Sequence, residues 1–203
     1  MEKFKQLAGE HAFHAIYPFE PDRENDFNDA NEVAKIIGEH LGSFGDKKYY
    51  FVEGGSWDFW TLSKAMHAGL EYIRRGKYVP EWQIYSVFRP INESLPHANC
   101  ILVGGETLPD DELLFSELRC LLMLILIMLY QASNEVHKII PITMVSLYAY
   151  KARILQGHVN FRTGKITINK TPIFNLAEGE VVMEDNWVTI FRWLVGTPVG
   201  ETT

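Results

Sequence analysis

The sequence predicts a mixed α/β domain in which helices pack on a mixed sheet, and three observations lead to that expectation. Hydrophobic residues make up 47% of the chain and charged residues 22%, the balance of a chain that buries a core. Apolar residues at helical spacing alternate with short β-branched segments. In the second half, a long apolar helix precedes a strand that is apolar on both faces, which is typical of a covered sheet. We expect one domain over residues 1–203, with an irregular segment at 1–27, an α/β half at 28–105 and an α-β-β-β-α half at 106–203.

Charge and cysteine content narrow the partners and the cellular setting. The net charge is -7 and the Lys and Arg residues are scattered, so the chain lacks the basic patch that gives nucleic-acid binders their affinity. Two cysteines cannot build a disulfide framework or a zinc cage. The first residues lack the apolar stretch of a signal peptide, which predicts a cytoplasmic protein.

Two amphipathic helices are predicted in the N-terminal half. The first begins near Asn28, a good N-cap residue, and carries apolar residues at three- and four-residue spacing. The second begins at Ser56 and ends before Gly76, a natural helix stop. Strands are predicted where aromatic and β-branched residues cluster, at Tyr49–Val52, at Trp82–Phe88 before Pro90, and at Asn99–Val103.

A third helix is predicted over residues 109–131. Thr107 is the expected N-cap, and the acidic run that begins at Asp110 suits a first helical turn. The segment Cys120–Tyr130 contains eleven residues without a charge. A membrane-spanning helix needs about 20 apolar residues, so we expect a helix buried in the core and no membrane contact, with a membrane helix as the alternative.

The C-terminal strands follow from their side-chain alternation. Ile139–Tyr150 is apolar on both faces, with Pro141 expected at its start. An antiparallel hairpin is predicted over residues 152–174, with Thr163 and Gly164 as a two-residue turn. The expected cross-strand pairs are Arg162 with Lys165, Phe161 with Ile166, and Val159 with Ile168. A short extended piece at Glu178–Glu184 and a helix over residues 186–195 complete the chain.

Three titratable residues are the candidates for acid–base catalysis. His158 lies on the polar face of the predicted hairpin, and histidine is the usual acid–base residue near neutral pH. Glu53 and Asp58 flank a Gly-Gly turn between a strand and a helix, where ligands gather in open α/β sheets. The candidate ligand-binding residues are Trp57, Trp60, Tyr85, Gln156, Asn160 and Asn169. A solvated sheet face, ordinary turn chemistry and an aromatic core explain the same residues equally well.

No metal or cofactor site is predicted. The histidines His11 and His14 could share a metal if their segment is helical, but no third ligand has a diagnostic spacing. Neither strand-to-helix junction with a Gly-Gly pair, at Gly54-Gly55 or at Gly104-Gly105, matches a phosphate-binding loop or a dinucleotide fingerprint. We therefore expect any activity to be independent of a cofactor.

The order of helix (109–131), three strands and helix (186–195) resembles the core of the restriction-endonuclease-like PD-(D/E)xK superfamily. That family places an acid on the second core strand and an acid-x-lysine on the third, to hold a divalent metal. Here the second strand contains no acid, and isoleucine occupies the acid position in Ile168-Asn169-Lys170. Only Glu117, on the helix, matches a family role. The resemblance covers residues 109–196 and implies the scaffold without its nuclease activity.

The stretch Ala152–His158 with its hairpin also resembles a block in filamentous-fungal proteins, which implies no activity.

Two hypotheses follow. The first is a small-molecule-binding protein with an aromatic-lined pocket for an apolar or aromatic molecule. This hypothesis includes an enzyme that performs isomerase, cyclase or hydrolase chemistry. The alternative is a catalytically inactive endonuclease-like scaffold that acts as a protein-interaction module. Whether the protein is an enzyme and whether it forms a homo-oligomer stay open at this point.

Overall fold

A mixed β-sheet forms the centre of the structure. The computed structural model describes residues 33–39, 41, 57–59, 82–105, 108–131, 136–198 and 202–203. Within these residues the sheet has seven strands in the order β1-β2-β3-β4-β5-β6, and β7 also pairs with β5. The strands are β1 (Trp57–Phe59), β2 (Trp82–Pro90), β3 (Ala98–Gly104), β4 (Ile139–Tyr148), β5 (Lys151–Asn160), β6 (Lys165–Lys170) and β7 (Phe174–Asn175).

Helices cover both faces of this sheet, which confirms the predicted mixed fold class. They are α1 (residues 33–39, with Leu41 also helical), α2 (Phe115–Leu129), α3 (Gly179–Val182) and α4 (Glu184–Val195). The pair β3–β4 is parallel, and α2 is its crossover; the other strand pairs are antiparallel. In the described part of the chain, no helix is both long enough and apolar enough to cross a lipid bilayer.

The strand β4 lies between two hydrophobic clusters. Val145 and Leu147 pack with α1 and α4, whereas Ile142 and Met144 pack with α2. Neighbouring side chains of a strand point to opposite faces, so the two clusters lie on opposite sides of the sheet. This arrangement confirms the prediction from the doubly apolar pattern.

Glycine lets α2 approach the sheet closely. A Cβ atom on Gly157 of β5 would lie 3.2 Å from two methyl carbons of Leu121. That separation is tighter than most side-chain contacts in proteins, so a larger residue would push the helix outward. The α2 side of the sheet is therefore densely packed beneath the helix.

The start of α2 differs from the prediction by about six residues. The helix begins at Phe115, and the predicted N-cap at Thr107 lies outside the described residues. Glu117 accepts a hydrogen bond from the backbone N–H of Leu114 (2.8 Å), and Arg153 donates to the carbonyl of Pro109 (2.8 Å). These two interactions fix the path of the segment before Phe115, which bends at residues 110–112, and the acidic run does not start the helix.

The predicted register of the hairpin is wrong, because the observed pairing is shifted by one cross-strand pair. Val159 lies opposite Ile166, not Ile168, and Asn160 lies opposite Lys165. The turn contains four residues because the Asn160 side-chain oxygen accepts the backbone N–H groups of residues 162 and 163, at 3.0 and 3.2 Å. A shift of one pair moves each partner by two residues, so the predicted faces are unchanged.

Three other predictions need correction. The helix predicted from Ser56 is wrong at its start, because Trp57–Phe59 forms an edge strand against β2; the rest of that helix and the predicted strand Tyr49–Val52 lie outside the described residues. Strand β2 runs through Pro90 instead of ending before it, since β1 pairs there. The piece predicted as extended at Glu178–Glu184 contains the short helix α3.

Candidate functional site

A buried ion pair lies where α2 begins. Glu117 on α2 and Arg153 on β5 are both fully buried. Arg153 Nε donates to Glu117 Oε1 at 2.8 Å, Arg153 Nη2 also donates to Glu117 Oε2, and Arg153 Nη1 donates to the carbonyl of Pro109. A paired guanidinium and carboxylate satisfy each other's charge, which alone would be costly to bury.

A second polar contact extends this cluster along the same side of the sheet. Ser116 Oγ lies 2.8 Å from the hydroxyl of Tyr148, and both residues are almost completely buried. The Tyr148 ring packs directly over Gly104, and a Cβ atom at that position would collide with it. Gly104 is the last residue of β3, so the Tyr148 ring occupies the space that a side chain at this strand end would fill.

This cluster joins α2 to the sheet, and hydrogen bonds within the protein engage both oxygens of its acid. The Glu117 carboxylate accepts two hydrogen bonds from Arg153 and one from Leu114. Lys170, at the end of the third core strand, donates instead to the backbone carbonyl of Asp110. In the residues that the structure describes, no three His, Cys, Asp or Glu side chains are arranged to hold a metal ion.

Four of the predicted site residues share one face of the β5–β6 hairpin. Gln156 pairs with Asn169 and His158 with Thr167, so the side chains of His158, Gln156, Asn160 and Asn169 point to the side of α1 and α4. Gln156 and Asn169 are exposed, and His158 and Asn160 are half-buried. Asn160 uses its side-chain oxygen in the hairpin turn.

The other predicted site residues lie elsewhere. Trp57 and Asp58 belong to β1, at the opposite edge of the sheet. Four strand-to-strand steps separate β1 from β5, roughly 19 Å at about 4.8 Å per step. Glu53 and Trp60 lie outside the described residues. The catalytic and ligand-binding roles of all these residues stay predictions.

Tyr85 is half-buried and lies at an irregularity of β2. The register with β3 shifts between Ile84 and Ser86, which leaves Tyr85 as the extra residue of a β-bulge. Its ring packs against the core cluster of α1 and α4, and a Cβ atom on Gly38 of α1 would lie 3.4 Å from it. The contacts of Tyr85 are therefore those of a core residue.

The feature that sequence reasoning missed is an exposed apolar surface on α2. This outer α2 face is formed by side chains of α2 alone, and no other described residue covers it. Phe115, Leu126 and Tyr130 are 74%, 53% and 87% exposed. The apolar residues of the outer α2 face are Phe115, Leu118, Leu122, Met123, Leu126, Ile127 and Tyr130.

One cation, Arg119, interrupts the outer α2 face. Its guanidinium carbon lies 5.8 Å from the ring centroid of Trp82 on β2, a cation–π contact. The sequence did carry a signal for this surface, because the eleven uncharged residues are apolar around the whole helix and not only along one stripe. The prediction of a helix buried in the core is therefore confirmed for the sheet-facing side, while the other side of α2 is exposed among the described residues.

Comparison with known proteins finds no matching family model, no matching curated protein and no matching solved structure. The function is therefore inferred from the geometry of these surfaces.

Proposed function

We propose that this chain is a protein-interaction module whose docking surface is the outer α2 face. The observation that supports this function is the apolar surface, interrupted by Arg119 alone, that runs the length of the helix from Phe115 to Tyr130. Removing apolar surface from water is favourable by about 25 cal/mol for each Å². Contiguous exposed patches of this kind mark binding surfaces in folded proteins.

The shape of the surface favours a protein segment over a small molecule. Small-molecule sites are concave and enclose about 70–90% of the ligand. The outer α2 face is one side of a single helix and is open to solvent among the described residues. An apolar helix laid along another helix makes contacts over its whole length, which suits this geometry.

The buried polar cluster supports the same proposal. In the endonuclease-like resemblance, Glu117 is the acid that matches a family role, and here Arg153 and Leu114 already bind its carboxylate. A carboxylate with this set of donors stabilises the join between helix and sheet. The scaffold then serves to present α2, not to hold a metal.

Cysteine labelling at high dilution tests whether the outer α2 face is available to a partner. Leu126→Cys should react rapidly with a maleimide in the folded protein, because Leu126 is 53% exposed. The native Cys100 and Cys120 are buried and should not react with the maleimide. Ile91→Cys, with 54% exposure on a different surface, is the matched positive control. If Ile91→Cys reacts and Leu126→Cys does not, other parts of the chain cover the face and the proposal is wrong.

Small-molecule binding at the hairpin is a second proposal. It is favoured by the four polar side chains that share one face around His158. The test is the melting temperature with the flat apolar probe 8-anilinonaphthalene-1-sulfonate, because a ligand that binds only the folded state raises it. A rise that His158→Ala abolishes supports this site, and a rise that only Leu126→Asp abolishes assigns the probe to α2. An unchanged melting temperature contradicts small-molecule binding of this type.

A further inference from the structure

We infer that the outer edge of β6 is a second docking surface, which binds an extended segment of another protein with acidic ends as an added β-strand. This surface is separate from the outer α2 face, so the inference goes beyond the proposed function. The strand β6 ends the strand order of the sheet, and among the described residues no strand pairs with its other edge. A strand edge of this kind presents backbone groups that pair readily with a further strand.

The hydrogen bonds of the hairpin fix which residues of β6 point toward this edge. Thr171, which follows β6, donates its N–H to the carbonyl of Ile154 on β5 at 3.0 Å. In an antiparallel pair, residues whose N–H and C=O groups face the partner strand alternate with residues whose groups face away. Every second residue back from Thr171 therefore faces β5, and the residues between them, Ile166, Ile168 and Lys170, present their backbone groups to the edge. A further strand can bond to β6 without breaking a pair with β5.

The middle of β6 lacks the features that commonly block a strand edge. Proline, a β-bulge or a central charge prevents edge pairing in many proteins. Residues 166–169 contain neither proline nor charge, and the register between β5 and β6 is continuous. The six residues of β6 span roughly 20 Å, the usual length of a paired strand.

Charge selects the kind of strand that fits this edge. Lys165 and Lys170 are exposed at the two ends of β6, and Arg162 in the adjoining turn is also exposed. None of the three forms an ion pair with another described residue. An antiparallel β6 strand from a second copy in full overlap would place Lys165 opposite Lys170, and like charges in that position are unfavourable. A strand with acidic residues at its ends meets a cation at each end instead.

The two faces of β6 determine the alternation of the partner strand. Ile166 and Ile168 point to the α2 side of the sheet, where Ile168 packs against the hydrophobic cluster and Ile166 is 47% exposed. Thr167 and Asn169 point to the other side. An added strand continues both faces of the sheet, so an apolar side chain at every second position would cover Ile166 and a polar one would lie beside Thr167. The partner is therefore an extended amphipathic segment with acidic ends.

Isothermal titration of the full chain with a synthetic peptide tests the binding. The probe is the capped peptide Glu-Val-Thr-Val-Thr-Val-Glu, and the same peptide with lysine at both ends is its charge control. A single added strand is a small interface, so a dissociation constant on the order of 100 μM is expected for the acidic peptide. Lys165→Glu should weaken binding of the acidic peptide about fivefold and strengthen binding of the lysine peptide, because the charges in contact are reversed.

Arg89→Glu is the matched control, because it makes the same change in charge on β2, four strand steps from β6. It should leave the affinity of both peptides unchanged. No binding of the acidic peptide by the wild-type chain, or equal weakening by Lys165→Glu and Arg89→Glu, overturns the inference.

Amide hydrogen exchange, followed for each residue by NMR, tests where the peptide lies. In the free chain the N–H groups of Ile166 and Ile168 should exchange rapidly, and that of Thr167 slowly because it is bonded to β5. Saturating acidic peptide should slow the exchange of Ile166 and Ile168 at least about tenfold and leave Thr167 unchanged. Peptide binding without this protection places the peptide elsewhere and overturns the inference.

The same exchange experiment without peptide distinguishes the other possible occupants of the edge. Slow exchange of Ile166 and Ile168 in the free chain at low concentration shows that another part of the chain covers β6, which overturns the inference. Protection that grows with the concentration of the free chain assigns the edge to a second copy, which also overturns it. Leu126→Asp should leave peptide binding unchanged, so failure of the outer α2 face as a docking surface and failure of the β6 edge are distinguishable.

Discussion

Replacing Arg153 with leucine should destabilise the fold more than any surface substitution. The change leaves the Glu117 carboxylate fully buried with only the Leu114 N–H as a donor, and it removes the hydrogen bond to Pro109. Leaving one member of a buried ion pair uncompensated costs about 3–5 kcal/mol. Typical domains have a free energy of unfolding of about 5–15 kcal/mol, so this single change would remove a large share of the stability.

The energy of the pair is separated from that of the individual residues by a double-mutant cycle. Glu117→Leu alone should also destabilise the fold strongly, since it leaves the buried guanidinium without its carboxylate partner. The double variant should recover most of the lost stability, because no charge stays buried. The measurement is the free energy of unfolding from urea titrations followed by circular dichroism.

A surface ion pair gives the matched control for this cycle. Arg89 and Glu93 lie 3.3 Å apart, with side chains that are 35% and 69% exposed. Arg89→Leu should cost less than about 1 kcal/mol, as is usual for exposed pairs. If Arg153→Leu costs no more than Arg89→Leu, or if the two buried substitutions are additive, water reaches the Glu117–Arg153 pair and the reasoning from burial is wrong.

Three further predictions concern packing, titration and the hairpin. Gly104→Ala should lower the free energy of unfolding by about 1–3 kcal/mol in urea, because the new methyl group displaces the buried ring of Tyr148; an unchanged stability would show that the ring moves without cost. Burial raises the pKa of the Cys120 thiol well above its ordinary 9.0, and the neighbouring Cys100 raises it further. The unfolded chain therefore loses this proton first as the pH rises, so stability should fall above about pH 9, and Cys120→Ala should flatten that dependence in urea titrations at several pH values. Asn160→Ala should cost about 1 kcal/mol through loss of two turn hydrogen bonds, read from the urea midpoint, and a neutral effect would contradict the four-residue turn.

The sequence alone indicated the faces of strands and helices correctly where their period is regular. The apolar positions of β4 divide between the two clusters as its pattern predicts, and the described residues of α1 bury Val33, Ile37 and Leu41 as their spacing predicts. The last helix ends at Gly196, as predicted. These features depend on neighbours in the chain, so periodicity is sufficient to find them.

Errors arose where a local backbone signal competed with a side-chain hydrogen bond. The acidic run before α2 predicted a helix start, but Arg153, which lies 44 residues after Pro109 in the chain, binds the carbonyl of Pro109, and the acidic run stays outside the helix. The Thr163-Gly164 pair suggested a two-residue turn, but the Asn160 side chain selected a longer one. In both places a side-chain hydrogen bond outweighed a weak preference of the backbone.

The long apolar helix shows most clearly what each level of structure determined. Its composition by itself predicted a helix that avoids water, because eleven uncharged residues leave no polar side. Only the tertiary structure decided that one side packs on β3 and β4 while the outer α2 face stays uncovered by the described residues, and that Glu117 at its start pairs with Arg153. Hydrophobicity sets how much surface a helix must bury, but it carries no direction; the sheet beneath α2 determines which side is left for a partner.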